Sequence, residues 1–298
     1  MASDTKKEFF LTNAFTSRPF AGNPAAVVFE GDSIPEELLV RIAAEANPIS
    51  ETVFVCEPTQ ADADIRLRYF TSTCEVDLCG HATVAALFSL AWSGRLEGRD
   101  EEKNLRAETP AGVLELQVAF ESGAPTWARM EQLAPMIAKA PGADLAAEIL
   151  AINDDDLDPD LPVACSSTGI WACFVPLKEL STLGRIQPDR DRIEALWPGN
   201  PDLTGVYPFA FVDDRTTQGR FFPPPKYGIR EDPVTGTACG ALGGYLIEKG
   251  RLPAAGELLA RQGFEMGRGG TVRVSLNPNG RIAISGQAVP VFHGQLVI

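Results

Sequence analysis

The chain has 298 residues, 45% of them hydrophobic and 22% charged, with 26 basic against 40 acidic side chains and a formal charge of −14. A length near twice the ~150 residues of an ordinary domain suggests two domains. A surface this negative repels phosphate backbones and anionic lipids, which argues against nucleic-acid and membrane partners. An anionic substrate would have to be held by local donors, not by the global field. The start from Met1 to Glu8 is polar, which argues against a secretion signal. No stretch approaches the ~20 apolar residues of a membrane span. The six cysteines include no C-x-x-C pair, so a cytoplasmic chain with reduced thiols is expected. With two histidines and no zinc-type spacing, no metal is expected.

In chain order, the turn-rich loop Phe15-Thr16-Ser17-Arg18-Pro19-Phe20-Ala21-Gly22-Asn23-Pro24 leads into an apolar strand from Ala25 to Phe29. The spacing of Leu38, Leu39, Ile42 and Ala46 predicts a helix from Pro35 to Ala46, stopped at Asn47-Pro48. The segment Asn47-Pro48-Ile49-Ser50-Glu51-Thr52 then enters a strand from Val53 to Cys56. Period-two alternation predicts half-buried strands at Ile65-Leu67-Tyr69, Leu114-Leu116-Val118 and Val272-Val274-Leu276. The acidic stretch Asp154 to Asp160 reads as a solvated loop; it lacks the glycine and terminal glutamate of a calcium-binding loop.

Two helices are of another kind. Gly80 to Ala91 and Gly236 to Ile247 are apolar or small nearly all round, so each should be buried on every side with a sheet wrapped around it. A shift of 156 (236 − 80) places Gly80 on Gly236, Ala82 on Ala238, Ala85 on Ala241 and Leu90 on Leu246. It also carries Gly94-Arg95-Leu96 onto Gly250-Arg251-Leu252 without a gap. A duplicated α/β chain is the expectation, with halves 1–118 and 119–298.

The segments Cys79-Gly80-His81-Ala82-Thr83 and Glu231-Asp232-Pro233-Val234-Thr235-Gly236-Thr237-Ala238 open these helices. A helix start offers unsatisfied N–H groups and partial positive charge, and glycine lets a ligand approach the backbone. Two such starts facing one cleft would cradle a carboxylate. The plainer alternative is that Thr235 and Thr237 cap their own helix. Glu51 runs directly into an apolar strand, and partial burial is expected to raise its pKa toward neutrality, as a proton shuttle needs. His81 is open to three readings: general acid, hydrogen-bond donor or packing residue. Asp232 is a second candidate acid, or a loop cap. His293 has no motif around it and reads as structural. Nucleotide motifs are missing; Gly267-Arg268-Gly269-Gly270 lacks the third glycine and the helix of a dinucleotide fingerprint.

Together, F-T-x-x-P-F-x-G-N-P, S-E-T, L-C-G-H-A-T and E-D-P-V-T-G-T-A, in this order and across nearly the whole chain, resemble the PhzF-like family of phenazine biosynthesis, which shares the diaminopimelate-epimerase fold. The resemblance implies two pseudo-symmetric halves, each a barrel-like, mostly antiparallel sheet around a central helix, with the last strand able to return to the first half. It implies a homodimer, no cofactor and an active site between the halves. It also implies an isomerase that moves a proton on a small anionic carboxylate substrate. The family's catalytic glutamate, histidine and aspartate fall on Glu51, His81 and Asp232. The family's serine falls on Thr237, which keeps the hydroxyl; with Gly80 and Gly236 of the helix starts it makes up the expected substrate-binding set. Within the same fold, two-cysteine epimerases and racemases offer a rival. Cys79 occupies the first thiol position, but the second is Thr235, and Cys239 lies one turn further on. A non-catalytic binding protein is the third reading, and Glu51 argues against it.

Overall fold

The alternating segments are strands and the two all-apolar segments are helices in a computed structural model that describes residues 6–46, 50–139, 142–198, 200, 202–253, 256–277 and 279–298. The architecture is mixed α/β. The chain divides into two units: the first runs to Glu131 and takes in Ser285–Ile298, and the second is Gln132–Ile284. The division expected at residue 118 falls inside a strand, Gly112–Glu121, whose hairpin with Ala124–Glu131 keeps both strands in the first unit.

The first unit contains β1 (Lys6–Ala14), β2 (Asn23–Phe29), α1 (Glu36–Ala46), β3 (Thr52–Cys56), β4 (Ile65–Phe70), the short β5 (Glu75–Val76), α2 (Gly80–Trp92), β6 (Glu102–Thr109), β7 (Gly112–Glu121) and β8 (Ala124–Glu131). The second contains β9 (Met136–Lys139), α3 (Ala143–Leu150), β10 (Ala164–Ser167), β11 (Trp171–Pro176), β12 (Leu203–Asp213), β13 (Thr216–Gly219), α4 (Gly236–Glu248), β14 (Glu257–Gln262) and β15 (Gly270–Leu276). The strand β16 (Ile282–Gly286) carries the chain back to the first unit, where β17 (Ala288–Val297) ends it.

The duplication is written in the pairing. In the first unit β1–β2 is antiparallel, β2–β3 parallel, β3–β4 antiparallel, β4–β6 parallel and β6–β7 antiparallel. In the second, β10–β11, β11–β12, β12–β13, β13–β14 and β14–β15 repeat the same alternation. Each series has its buried helix at the same step, α2 between β4 and β6 and α4 between β13 and β14. Each also has a further antiparallel partner on its first strand, β17 on β1 and β9 on β10.

The helices match residue for residue. Each has thirteen residues and is buried from its first to its eleventh, Gly80 to Leu90 in α2 and Gly236 to Leu246 in α4. Burial of this extent explains why neither sequence shows a polar stripe. The α2 helix packs on β1, β2, β3, β8 and β17, and α4 on β9, β10, β11 and β15. Fully buried Leu87 and Phe88 of α2 contribute about 1.5–3 kcal/mol each through lost apolar exposure.

The repeated Gly-Arg-Leu has a structural cause. Gly94 and Gly250 have φ of 74° and 68°, the left-handed conformation that ends a helix. The Gly94 amide donates to the Ala91 carbonyl at 3.2 Å and the Arg95 amide to Leu90 at 3.0 Å. In α4, Gly250 donates to Ile247 at 3.0 Å and Arg251 to Leu246 at 2.9 Å. Both are Schellman caps, with Leu96 and Leu252 folding back onto the same carbonyls. Among the described residues no helix is long and apolar enough to cross a membrane.

Candidate active site

Glu51 stands immediately before β3. Its carbonyl accepts from the Ala26 amide at 3.3 Å, the bond that begins the parallel pairing of β2 with β3. The preceding loop is fixed by Gly22, at φ 63°, where a Cβ would lie 2.2 Å from the Ala14 carbonyl oxygen. That turn delivers Asn23, whose Oδ1 is 3.3 Å from the Ser50 hydroxyl. Ser50 in turn donates to Glu51 Oε2 at 2.9 Å. Residues 47–49 of the second sequence cluster lie outside the described residues.

His81 is the second residue of α2. Its Nε2 is 3.2 Å from Glu51 Oε2 and 2.9 Å from the Ser50 hydroxyl. Cys79 Sγ lies 3.4 Å from Nδ1 of the same ring. The start of the helix is pinned from behind. The Thr83 amide and hydroxyl both reach the Cys79 carbonyl, at 3.0 and 2.8 Å, and the Tyr69 hydroxyl meets Thr83 Oγ1 at 2.7 Å. The His81 side chain is 7% exposed and that of Glu51 21%, so the pair is enclosed with its opening on the carboxylate side.

The electrostatics correct one expectation. Burial does push Glu51 up, but the charge of His81 and hydrogen bonds from His81 and Ser50 outweigh it and hold the carboxyl below its ordinary value. Burial pushes His81 down, and its neighbours Cys79 and Glu51 more than reverse this, holding the imidazole well above its ordinary value. Cys79 is raised by burial and by Glu51, so it is a neutral thiol near pH 7 and Glu51 is the partner that keeps His81 charged. The resting pair is carboxylate and imidazolium. Glu51 is thus held as a carboxylate, not poised near neutrality.

In the second unit, Asp232 joins the short bridge to Phe221 through its amide, 3.0 Å from the Phe221 carbonyl. Its Oδ2 accepts from the Thr235 hydroxyl at 2.5 Å. Gln262, fully buried on β14, ties the turn together: Nε2 donates to the Asp232 carbonyl at 2.7 Å, and Oε1 accepts from the Thr235 amide at 3.1 Å. The preceding Glu231 is held by both arms of Arg220, at 2.8 and 2.7 Å, and Arg220 also donates to the Leu183 carbonyl at 2.7 Å. The Thr235 hydroxyl therefore serves Asp232 and Gln262, not its own helix. Neither residue at the N-cap, Cys79 of α2 or Thr235 of α4, caps its own helix with its side chain. Thr237 is buried at the second position of α4, with its carbonyl accepting from Thr168 at 3.2 Å.

The structure thus brings Glu51 and His81 together, adds Ser50, Asn23 and Cys79 to them, and puts Asp232, Gly236 and Thr237 in the other unit's turn. Sequence reasoning gave no role to Ser50 or Asn23, although both lie in the quoted motifs. Gln262 carried no sequence signal, since it meets Asp232 only through folding. His293 is exposed, 2.8 Å from Glu8 Oε1 and stacked on Phe10 at 4.1 Å. The acidic segment after Ile152 is closed by a capping box between Asn153 and Asp156. Donor atoms of Glu51, Cys79 and His81 lie within 4.8 Å of one another, which makes this trio able to hold a metal ion.

Comparison with known proteins agrees with the geometry. Residues 12–294 match the PhzC-PhzF family, described as phenazine biosynthesis-like protein. The chain is 38% identical over 289 residues to the uncharacterized isomerase YfhB of Bacillus subtilis, covering 95% of this chain and 96% of that one. It is 28% identical over 295 residues to trans-2,3-dihydro-3-hydroxyanthranilate isomerase of Pseudomonas fluorescens, covering 97% and 99%. Among solved structures, the PhzF-family phenazine biosynthesis protein of Bacillus anthracis superposes with a TM-score of 0.86 at 34% identity, over 99% of this chain and 100% of that one. A hydroxyproline epimerase of Agrobacterium vitis shares the fold alone, with a TM-score of 0.67 at 14% identity over 98% and 91%.

Proposed function

Because the chain belongs to the PhzC-PhzF family of phenazine biosynthesis-like proteins, we propose that Glu51 moves a proton between carbons of a small carboxylate-bearing substrate, with His81 as its charged partner. The chain is an isomerase, as its family and relatives establish. The observation that carries the proposal is the 3.2 Å contact between Glu51 and His81. An ionised carboxylate there can take a proton from an activated carbon. The C–H electron pair then passes into an enol or enolate, and the neighbouring imidazolium offers a hydrogen bond to the charge that develops. Glu51 returns the proton to another carbon of the same substrate, so the reaction balances without an outside acid or oxidant. For the second unit we propose Asp232 as an acid–base group and the helix start at Gly236 and Thr237 as a donor to a carboxylate. The name of the Pseudomonas relative favours amino- or hydroxy-substituted carboxylates as the class to try first. We propose a homodimer on the same family grounds.

A two-thiol epimerase is the weaker reading. Cys239 is buried and its thiol is pushed up to about 12 by burial, beneath the Tyr207 hydroxyl at 3.6 Å. A thiolate base needs the opposite environment.

The test is solvent exchange in deuterated water, beginning with trans-2,3-dihydro-3-hydroxyanthranilate and continuing through a panel of small carboxylates. Active protein should introduce deuterium at carbon, and Glu51→Gln should abolish this while keeping the fold. Full exchange by Glu51→Gln would remove Glu51 from the chemistry.

A further inference from the structure

We propose that Glu51, His81 and Cys79 form a binding site for a thiophilic divalent cation of the zinc type, which would act as a reversible antagonist of the proton-transfer pair and not as a resident cofactor. The donors are a carboxylate oxygen, an imidazole nitrogen and a sulfur, the set that zinc takes and that calcium and magnesium do not. Zinc bond lengths of about 2.0–2.3 Å make the edges of a tetrahedral site about 3.3–3.6 Å long. Here Nε2 of His81 is 3.2 Å from Oε2 of Glu51 and 3.7 Å from Sγ of Cys79. All three donor atoms lie within 4.8 Å of each other. Two of the three edges are already within a few tenths of an ångström of the bound geometry, before any side chain moves. Among the described residues no other group of three His, Cys, Asp or Glu side chains comes this close.

The surroundings favour occupancy. His81 and Cys79 are held rigidly on the first turn of α2 and just before it, where the Thr83 bonds fix the Cys79 carbonyl. Pre-organised ligands lose little entropy on binding. The partly exposed Glu51 leaves an approach and a fourth position for water, the three-ligand pattern of an open zinc site. Ser50, 2.9 Å from both Glu51 Oε2 and His81 Nε2, is placed to orient the ligands. On binding, the metal–sulfur bond replaces the Cys79 S–H bond and the metal–nitrogen bond replaces an imidazole N–H bond. The displaced protons pass to the buffer, so affinity rises with pH. Binding needs none of the catalytic reading; only the expected loss of activity rests on it.

The experiment titrates the full chain with Co²⁺ and Zn²⁺. Cobalt should bind one to one, with a thiolate-to-metal charge-transfer band and the strong visible bands of a tetrahedral site. Zinc should displace it and raise the melting temperature. Cys79→Ser should abolish the charge-transfer band, and Glu51→Gln and His81→Gln should each weaken binding at least about tenfold. Cys74→Ala, which removes the exposed thiol, should change nothing. Melting curves without metal establish that each variant folds. A charge-transfer band that survives Cys79→Ser, or vanishes in Cys74→Ala, overturns the site, as does the lack of any band in the unaltered protein. Failure here leaves the deuterium-exchange test of Glu51 standing, and failure there leaves the titration intact.

Discussion

Thr83 and Cys239 hold the same place in their helices, the fourth residue, and each is met by a tyrosine hydroxyl, Tyr69 at 2.7 Å and Tyr207 at 3.6 Å. The tyrosines come from β4 and β12, which are not counterpart strands, so the two units reached the same contact by different routes. Cys239 is thus the counterpart of Thr83, and the counterpart of Cys79 is Thr235. We expect Cys239→Ser to keep full deuterium exchange and to lose no more than about 1–2 kcal/mol of stability, since a hydroxyl can accept the same Tyr207 contact. Loss of exchange in a folded variant would return the two-thiol reading to first place.

Cys79→Ala should retain most of the exchange activity, because the thiol is neutral and meets the proposed proton-transfer pair at His81. Abolition of exchange, with melting unchanged, would make Cys79 a base in its own right.

The charge state of the pair can be read directly, as the chain has only two histidines. In a proton-NMR titration His81 should titrate well above the ordinary 6.5. Glu51→Gln should lower the His81 midpoint. The linkage has a definite sign. The raised His81 contributes stability that is complete below its unfolded pKa and lost as pH rises through its folded pKa. The lowered Glu51 contributes stability present above its unfolded pKa and lost as pH falls through its folded one. The pair's contribution should therefore be complete between pH 4.5 and 6.5, and fade outside that window as pH approaches the lowered Glu51 value on the acid side or the raised His81 value on the alkaline side. A His81 midpoint unmoved by Glu51→Gln would contradict the ion pair.

Ser50 donates to the Glu51 carboxylate, the group proposed to accept the proton. Ser50→Ala should raise the pH at which the acidic limb of activity falls, because Glu51 loses a bond that favours its charged form. The loss of one such bond, about 1–2 kcal/mol, should lower the rate about tenfold. An unaltered pH profile would show that Ser50 only packs.

Three changes test the scaffold. Gly94→Ala and Gly250→Ala meet no atom within 4 Å, so only the left-handed backbone resists them, and each should cost about 1–2 kcal/mol. Near-equal losses in thermal or urea unfolding are expected from equal caps. Glu231→Gln, by contrast, breaks the fork with Arg220, in which each side chain is 13% exposed, and should cost about 3 kcal/mol. It should also lower activity by loosening the turn that carries Asp232.

The amino-acid sequence determined the parts of this protein that depend on local pattern. An all-apolar helix without a polar stripe can only be buried, a glycine followed by Arg-Leu at both ends can form the same left-handed cap, and the spaced motifs identify the family. Burial and cap chemistry are properties of short segments, so they survive being read in one dimension. The ionisation of Glu51 was not legible in this way. Its neighbours in sequence predicted a raised pKa, whereas the residue that decides it, His81, is thirty positions away and charged. Likewise Gln262 meets Asp232, thirty positions away, only once the chain has folded. A proton's free energy is set by every charge and dipole within a few ångströms, and only the folded chain decides which those are.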